Sequence, residues 1–264
     1  MTLTKRMLGR SQLEVSCLGL GTVKIGRNQG VKYPAGFALP SDNEVANLLD
    51  LARDLGINLL DTAPAYGSSE QRIGRLLRNR QDWVICTKVG EEFLNGKSFF
   101  DFSAQHVRRS IERSLRDLNT DYLDIVLVHS DGHDMRILES SECLPTLFDM
   151  KEKGVIRAVG MSTKTIDGGL RALDLTDAVM VTYNPANTAE GVVIDAAILQ
   201  DKGVLIKKAL DSGHACEGEN NSTASNLQFA IERDGVSSVI VGTINPNHLM
   251  ENARSITKQS ECAR

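Results

Sequence analysis

Short runs rich in β-branched residues alternate with longer amphipathic segments along almost the whole chain, and this alternation restricts the fold more than any other feature. It is typical of a parallel sheet covered by helices, because each crossover between parallel strands needs a long connection. Eight segments are strand candidates: 16–20, 57–60, 83–87, 123–128, 156–160, 178–181, 204–206 and 237–241. Eight more are helix candidates: 42–55, 69–77, 104–118, 143–153, 166–173, 192–200, 224–233 and 246–256.

Eight strand–helix units predict a (β/α)8 TIM barrel, formed as a single domain over 1–264. An open doubly wound sheet usually has fewer strands and a glycine-rich phosphate loop, and the sequence contains no G-x-G-x-x-G. Helix boundaries are also marked, since Ser41 and Glu44 form a capping box and Gly56 is a stop signal. Ahead of the barrel, 7–15 predicts a short β-hairpin that closes its bottom.

Composition excludes several classes of protein. The 264 residues carry a formal net charge of −4 and no basic block, so no nucleic-acid partner is expected. Residues 1–10 lack the apolar run of a signal peptide, and no apolar stretch is long enough to span a bilayer, which predicts a cytoplasmic protein without a membrane partner. Scattered cysteines without a C-x-x-C pair predict reduced thiols and no metal site: Cys17, Cys86, Cys143, Cys216 and Cys262.

Four residues with acid–base chemistry follow three neighbouring strand candidates. Asp61 and Tyr66 come after 57–60, Lys88 ends 83–87 and His129 ends 123–128. Each of them alone would more often be a turn, rim or core residue. Because barrel enzymes carry their active sites at the carboxyl ends of the strands, we expect the four side chains to meet in one pocket.

Chemistry gives each of these side chains a role. A tyrosine is a poor acid or base near neutral pH unless a nearby cation lowers its pKa, and Lys88 is the natural cation for Tyr66. Asp61 would hold the lysine ammonium by a charge-assisted hydrogen bond. His129 could then bond the substrate oxygen and orient it.

Several strings carry a resemblance that covers nearly the whole chain. They are GINLLDTAPAYGSSE at 56–70, CTKV at 86–89, DYLDIVLVHS at 121–130, GVIRAVGMS at 154–162, Tyr183-Asn184-Pro185, and GTINP at 242–246 with Leu249, Glu251 and Asn252. In these strings the chain resembles the aldo-keto reductase family. The resemblance implies an oxidoreductase that reduces small aldehydes or ketones with NAD(P)H, often as a monomer, with Asp61, Tyr66, Lys88 and His129 as a catalytic tetrad and Tyr66 as general acid.

The resemblance also implies a cofactor extended across the barrel mouth, bound without a Rossmann motif. Ser162 would hold the nicotinamide carboxamide. The complete set of expected cofactor contacts is Gly21, Thr22, Asp61, Ser162, Thr163, Met180, Lys207, Lys208, Ala209, Leu210, Ser212, Gly213, Gly242, Thr243, Asn245, His248, Glu251 and Asn252.

The cofactor region departs from the family pattern. Thr163 stands where an asparagine is usual, Met180 where a glutamine is common, and Lys207 where an aromatic ring often stacks on the nicotinamide. Lysine or arginine normally binds a 2′-phosphate, but Asn245 and His248 occupy that end here. By the family's habit NADP(H) is still favoured over NAD(H).

Two other functions stay open at this point. One is a catalytically weak, nucleotide-sensing barrel that binds NADP(H), which fold alone does not exclude. The other is a sugar or phosphate isomerase, for which the strand ends offer no obvious glutamate base or metal cluster. The segments 28–40, with Tyr33 and Phe37, 130–141 and 211–222 are the candidate walls of an open substrate pocket.

Overall fold

The eight predicted strands form a closed, all-parallel barrel with helices between them in the chain. The computed structural model describes residues 3–31, 33, 36–210 and 223–257. Around the barrel, the neighbouring strands are Leu18–Gly21, Leu59–Asp61, Val84–Val89, Leu123–His129, Ile156–Ser162, Ala178–Thr182, Gly203–Lys207 and Ser238–Val241, and the last of them pairs with the first. The predicted (β/α)8 fold is therefore confirmed.

The strands and helices of the described residues have the following bounds. The strands are β1 (Lys5–Met7), β2 (Glu14–Ser16), β3 (Leu18–Gly21), β4 (Leu59–Asp61), β5 (Val84–Val89), β6 (Glu91–Leu94), β7 (Lys97–Phe100), β8 (Leu123–His129), β9 (Ile156–Ser162), β10 (Ala178–Thr182), β11 (Gly203–Lys207) and β12 (Ser238–Val241). The helices are α1 (Val23–Gly26), α2 (Asp42–Asp54), α3 (Ser69–Leu76), α4 (Ala104–Asp117), α5 (Asp134–Ser140), α6 (Cys143–Glu152), α7 (Ile166–Leu175), α8 (Gly191–Gln200), α9 (Thr223–Ile231) and α10 (Pro246–Thr257).

Helix boundaries follow the local signals closely. The hydroxyl of Ser41 accepts from the backbone N–H of Glu44, whose carboxylate accepts from the Ser41 N–H, so the predicted capping box starts α2. Each of the eight predicted helices lies within two residues of an observed one. No helix among the described residues is both long and apolar enough to cross a membrane.

The predicted hairpin closes the bottom of the barrel. Strands β1 and β2 pair antiparallel, with Lys5 opposite Ser16. Leu8, Leu13 and Val15 are fully buried and belong to the apolar cluster inside the barrel, together with Leu59, Ile125 and Leu205 of its strands. The lower part of the interior is therefore packed with side chains, and open space remains only above it.

Among the named strands and helices, three features were not predicted. They are the largely exposed β6–β7 hairpin, the four-residue helix α1, and α5, a short helix within the expected wall segment 130–141. The two helices are too short to give a recognisable periodic pattern, and the hairpin buries no continuous face. Three of the cysteines, Cys17, Cys86 and Cys143, are buried free thiols as expected, and Cys216 and Cys262 lie outside the described residues.

Candidate active site

The barrel interior changes from apolar to polar over two residues along several strands. Side chains two residues apart on a strand point to the same face, so the interior position above an apolar residue lies at the mouth of the barrel. Along four strands the apolar residue and the polar one above it are Leu59 then Asp61, Cys86 then Lys88, Leu127 then His129, and Leu205 then Lys207. The mouth therefore carries a ring of ionisable groups on an apolar floor.

These ionisable residues belong to the strands themselves. The sequence places Asp61 and His129 just after their apolar runs, whereas both are the last residues of the observed strands β4 and β8. Ladder hydrogen bonds use only the backbone, so pairing continues past the last apolar side chain: Asp61 pairs with Cys86, and His129 pairs with Ser162. Rigid strand backbone thus fixes both functional groups.

Asp61 and Lys88 form a buried ion pair. The Lys88 Nζ donates to Asp61 Oδ1 at 2.5 Å and to the carbonyl oxygen of Thr62 at 2.9 Å. Lys88 is 1% exposed and Asp61 is 5% exposed. Burial opposes the charge of the lysine, but Asp61 together with Tyr66 and Cys86 outweighs it and holds the pKa of Lys88 above its ordinary value. Lys88 is therefore a fixed cation over the working pH range.

Tyr66 lies beside that cation at the end of a 3-10 turn, Pro64–Tyr66, that follows β4. Its ring centroid is 4.7 Å from Lys88 Nζ. The next residue, Gly67, has φ +63°, and a Cβ there would collide with the carbonyl oxygen of Gly26, so only glycine fits this turn. The loop geometry thereby carries the phenol back over the barrel mouth.

The pKa of Tyr66 is shifted upward, against the expectation that Lys88 would bring it toward neutrality. Burial raises the pKa most, the charge of Lys88 lowers it, and Asp61 raises it again, so the net pKa lies above the ordinary value near 10. The phenol consequently keeps its proton at neutral pH. This protonation state suits a proton donor.

His129, the last residue of β8, faces Tyr66. The two rings are edge to face, with centroids 6.3 Å apart and an interplanar angle of 84°. Burial lowers the pKa of His129, partly opposed by Glu91, whose Oε2 lies 2.8 Å from Nδ1. The contact is short but poorly aligned for a hydrogen bond, so it is mainly an attraction between the carboxylate and the ring.

Lys207 lies across the mouth from this group. Its Nζ donates to the hydroxyl of Ser162 at 2.9 Å and to the carbonyl oxygen of Thr163 at 2.5 Å. Burial lowers the pKa of Lys207 to about 8, against the opposing charge of Glu190. The hydroxyl of Thr163 is buried and has no hydrogen-bond partner, which leaves a polar group next to the cavity ready to bond a ligand.

One cavity of about 1170 Å³ joins these groups. All four expected catalytic residues line it, and so do most of the expected cofactor contacts: Gly21, Asp61, Ser162, Thr163, Met180, Lys207, Lys208, Ala209, Leu210, Gly242, Thr243, His248, Glu251 and Asn252. A space of this size accepts an extended dinucleotide better than a small metabolite alone.

Two of the expected contacts do not line the cavity, and two lie outside the described residues. The Thr22 hydroxyl donates to the carbonyl oxygen of Asp61 at 2.8 Å, so it supports the end of β4. Asn245 precedes α10, and its side-chain oxygen accepts from the N–H of Asn247 at 2.9 Å. Ser212 and Gly213 lie outside the described residues.

The sequence missed several residues of this cavity. Lys24, Arg27, Asn184 and Glu190 line it, and Glu91 contacts His129. Asn184 lies within the resembling strings, but its hydrogen bond to the Lys208 carbonyl oxygen, at 2.8 Å, depends on two strands meeting in space. The other four residues lie in segments after strands, where the sequence shows no periodic pattern of apolar residues. Tyr33, one of the expected wall residues, does line the cavity.

The end of the cavity at α10 carries the carboxylate of Glu251, whereas Lys88 and Lys207 lie at its centre. His248 and Asn252 of α10 also line this end, and Arg254 on the same helix does not.

Among the described residues, no group of three or more histidine, cysteine, aspartate or glutamate side chains could hold a metal ion.

Comparison with known proteins extends this picture to the whole chain. A model of the aldo/keto reductase family matches residues 17–206. A solved structure from Pseudomonas aeruginosa, assigned to the aldo-keto reductases, is 52% identical, with a TM-score of 0.87 over 96% of this chain and 94% of that one. L-galactose dehydrogenase from Arabidopsis thaliana is 28% identical over 96% of this chain and 88% of its own. D-threo-aldose 1-dehydrogenase from a Pseudomonas species is 26% identical over 96% of this chain and 93% of its own.

Proposed function

Because the chain belongs to the aldo/keto reductase family, whose members are oxidoreductases that use nicotinamide cofactors, we propose that it reduces aldehydes or ketones to alcohols with NAD(P)H and Tyr66 as the proton donor. The observation that carries this proposal is the group of ionisable side chains at the barrel mouth. There a protonated phenol lies 4.7 Å from a buried ammonium that is itself bonded to Asp61. A protonated tyrosine beside a lysine ammonium is suited to acid catalysis, and packing of the barrel alone would not require it.

The proposed reaction adds a hydride and a proton across one carbonyl group. A bound reduced nicotinamide would supply the hydride to the carbonyl carbon. Tyr66 gives its hydroxyl proton to the carbonyl oxygen, and the Lys88 ammonium stabilises the tyrosinate that is left until water reprotonates it. Asp61 keeps the ammonium in place, and His129 bonds the carbonyl oxygen and orients it.

The residues at the other side of the mouth fit a nicotinamide. Ser162 and Thr163 offer hydroxyls to a carboxamide, and the Thr163 hydroxyl is a buried group that lacks a partner within the protein. Lys207 bridges Ser162 and Thr163 and would carry its aliphatic stem along the ring. We propose that these three residues hold the nicotinamide end of the cofactor.

A substitution at Tyr66 tests the proposed function. In Tyr66→Phe the proton donor is lost, so reduction of a panel of small aldehydes should fall by roughly 1000-fold, within the range for general acid catalysis. Cofactor affinity, measured by fluorescence titration, should change less than twofold. Tyr122→Phe is the matched control, because Tyr122 precedes β8 at the other end of the barrel. Unchanged turnover in Tyr66→Phe would refute the assignment.

The panel should also contain aldoses, offered in the oxidising direction. Two relatives that match most of this chain are named as dehydrogenases of L-galactose and of D-threo-aldoses, the second acting at position 1. The open, partly polar cavity would accept a hydroxylated substrate. A nucleotide-sensing protein, the alternative function, would bind cofactor in the titration and turn over none of these compounds.

We propose NADP(H) as the preferred cofactor, with His248 of α10, which lines the cavity, as the residue that would bind the 2′-phosphate. His248→Ala should then weaken NADPH binding by roughly fivefold and leave NADH binding unchanged, since a single exposed polar contact contributes little. Competitive titration with both cofactors measures the difference. Equal affinities for the two cofactors in wild-type protein would mean that this site does not recognise the 2′-phosphate.

A further inference from the structure

Glu91 reaches the active site from a turn that only glycine allows. Strand β5 ends at Val89, and Gly90 follows with φ +102°. A Cβ on Gly90 would collide with the ring of Phe102, so the chain turns sharply here and enters the β6–β7 hairpin. The first residue of that hairpin, Glu91, is thereby set against His129 of β8.

Both carboxylate oxygens of Glu91 are engaged. Oε2 lies 2.8 Å from His129 Nδ1, and Oε1 accepts from the Ser98 hydroxyl of β7 at 2.6 Å. The side chains of Glu91 and His129 are 13% and 18% exposed. Burial raises the pKa of Glu91, but His129, Ser98 and Arg27 outweigh it and hold the pKa at about 2. Glu91 is therefore an ionised and immobile neighbour of the histidine.

The charges around His129 come from three elements. Lys88 on β5 and Lys207 on β11 disfavour a second proton on the ring, whereas Glu91 on β6 favours it. Tyr66 faces the ring as a neutral phenol. Of the described charged groups that act on the imidazole, Glu91 is the one that stabilises its cationic form.

The position of Glu91 restricts the tautomer of His129. The carboxylate oxygen lies 2.8 Å from Nδ1, off the line of a hydrogen bond, and at this distance it repels a lone pair on Nδ1 and attracts a hydrogen there, so the Nδ1–H tautomer is favoured. Nδ1 is buried, which leaves Nε2 as the nitrogen on the side of the cavity that His129 lines. Nε2 can then donate a hydrogen bond only when the ring carries both protons.

We propose that Glu91 is a positioning residue that fixes the Nδ1–H tautomer of His129 and stabilises its protonated form, and so makes Nε2 a pH-dependent donor to the substrate oxygen. This role rests on the carbonyl reduction proposed above. Below the pKa of His129 the ring donates to a carbonyl oxygen, which favours reduction. Above it, neutral Nε2 accepts from an alcohol hydroxyl, which favours oxidation.

The experiment compares Glu91→Gln with Glu92→Gln. Glu92 lies on the same hairpin, but its carboxylate contacts Arg113 at 2.5 Å and does not contact His129. Nitrogen-15 NMR of the histidine side chains, assigned with His129→Gln, reports tautomer and pKa without needing turnover. In Glu91→Gln we expect the Nδ1–H tautomer to be lost and the pKa of His129 to fall by about one pH unit. Glu92→Gln should leave the His129 signals as in wild type, and any change should be confined to His106, whose Nε2 lies 3.4 Å from the Glu92 carboxylate.

Activity supplies the second readout. In Glu91→Gln the fraction of protonated His129 above its pKa should fall about tenfold, and kcat/KM for reduction should fall with it while cofactor affinity stays the same. Ser98→Ala removes the hydrogen bond that holds the Glu91 carboxylate against His129. The pKa of His129 and kcat/KM should then change in the same direction as in Glu91→Gln, by less. This second variant covers the case in which Glu91→Gln does not fold. If His129 has the wild-type tautomer and pKa in both variants, the proposal is wrong. Altered NMR spectra without turnover in wild type would refute only the proposed function.

Discussion

Two aspartates of this barrel are buried with a basic partner, and only one of them lies at the cavity. Asp61 at the mouth bonds Lys88 at 2.5 Å. Asp124, near the start of β8, accepts from Arg80 at 2.7 Å, from Arg157 at 2.8 Å and from the N–H of Ile85 at 3.0 Å. Both aspartates are buried and bonded to basic side chains, so by the aspartates alone the two clusters would be judged alike.

They differ in what surrounds the basic partner. Asp124 is fully buried and saturated by donors from three segments, and none of these residues lines the large cavity. Lys88 and Asp61 both line it, with Tyr66 over the ammonium. A buried ion pair is therefore weak evidence of function, and the open space beside the pair is what separates a catalytic cluster from a structural one.

The largest effect is expected from a substitution that breaks the Asp61–Lys88 cluster at the mouth. Lys88→Met removes the cation that stabilises the tyrosinate, so kcat for carbonyl reduction should fall at least about 100-fold. Steady-state kinetics measure this, with Lys151→Met as control because Lys151 pairs with Asp177 away from the cavity. Full activity in Lys88→Met would show that the mouth pair is as structural as the other one.

A smaller effect is expected from a substitution in the Asp124 cluster, and it concerns stability instead of activity. Asp124→Asn leaves Arg80 and Arg157 without their carboxylate, so the free energy of unfolding should fall by about 3 kcal/mol. Chemical denaturation measures the loss. Turnover per folded molecule should stay within about twofold of wild type. If instead activity collapsed in a variant that stays folded, the distinction between the two clusters would fail.

The smallest effect concerns pH. Lys207 has a pKa of about 8, so it is a cation at pH 7 and mostly neutral at pH 9. Binding of the anionic cofactor should therefore weaken several-fold over this range. Titrations at several pH values measure the inflection. Lys207→Met should bind with a flat profile over the same range, and an unchanged inflection there would assign it to another group.

Much of the fold could be predicted because its signals are local. Eight β-branched runs and the capping box at Ser41 mark elements through backbone preference and periodic burial, and all eight barrel strands are observed. The convergence of Asp61, Lys88 and His129 also follows from sequence, since each comes directly after an apolar strand candidate and parallel strands end at one edge. What could not be predicted is how far each strand extends, because pairing continues beyond the apolar residues.

The remaining errors have a common cause. Glu91 belongs to an exposed hairpin without periodicity, and nothing in its neighbourhood along the chain points to His129, its partner 38 residues away. The pKa of Tyr66 was expected to move down because Lys88 is near, but burial of the phenol moves it up. The first outcome depends on which distant segments meet in the folded chain, and the second depends on how much water is removed around the phenol. No local pattern records either quantity.

The sequence by itself determined the barrel, the closing hairpin and the set of ionisable groups at its mouth, because these follow from alternation along strands and from chain order. Tertiary structure alone decided which acid contacts His129, which buried aspartate lies at the open cavity and in which direction the pKa of Tyr66 shifts. The physical reason is that electrostatic interactions act through space and depend on burial, whereas backbone preferences act between neighbours along the chain.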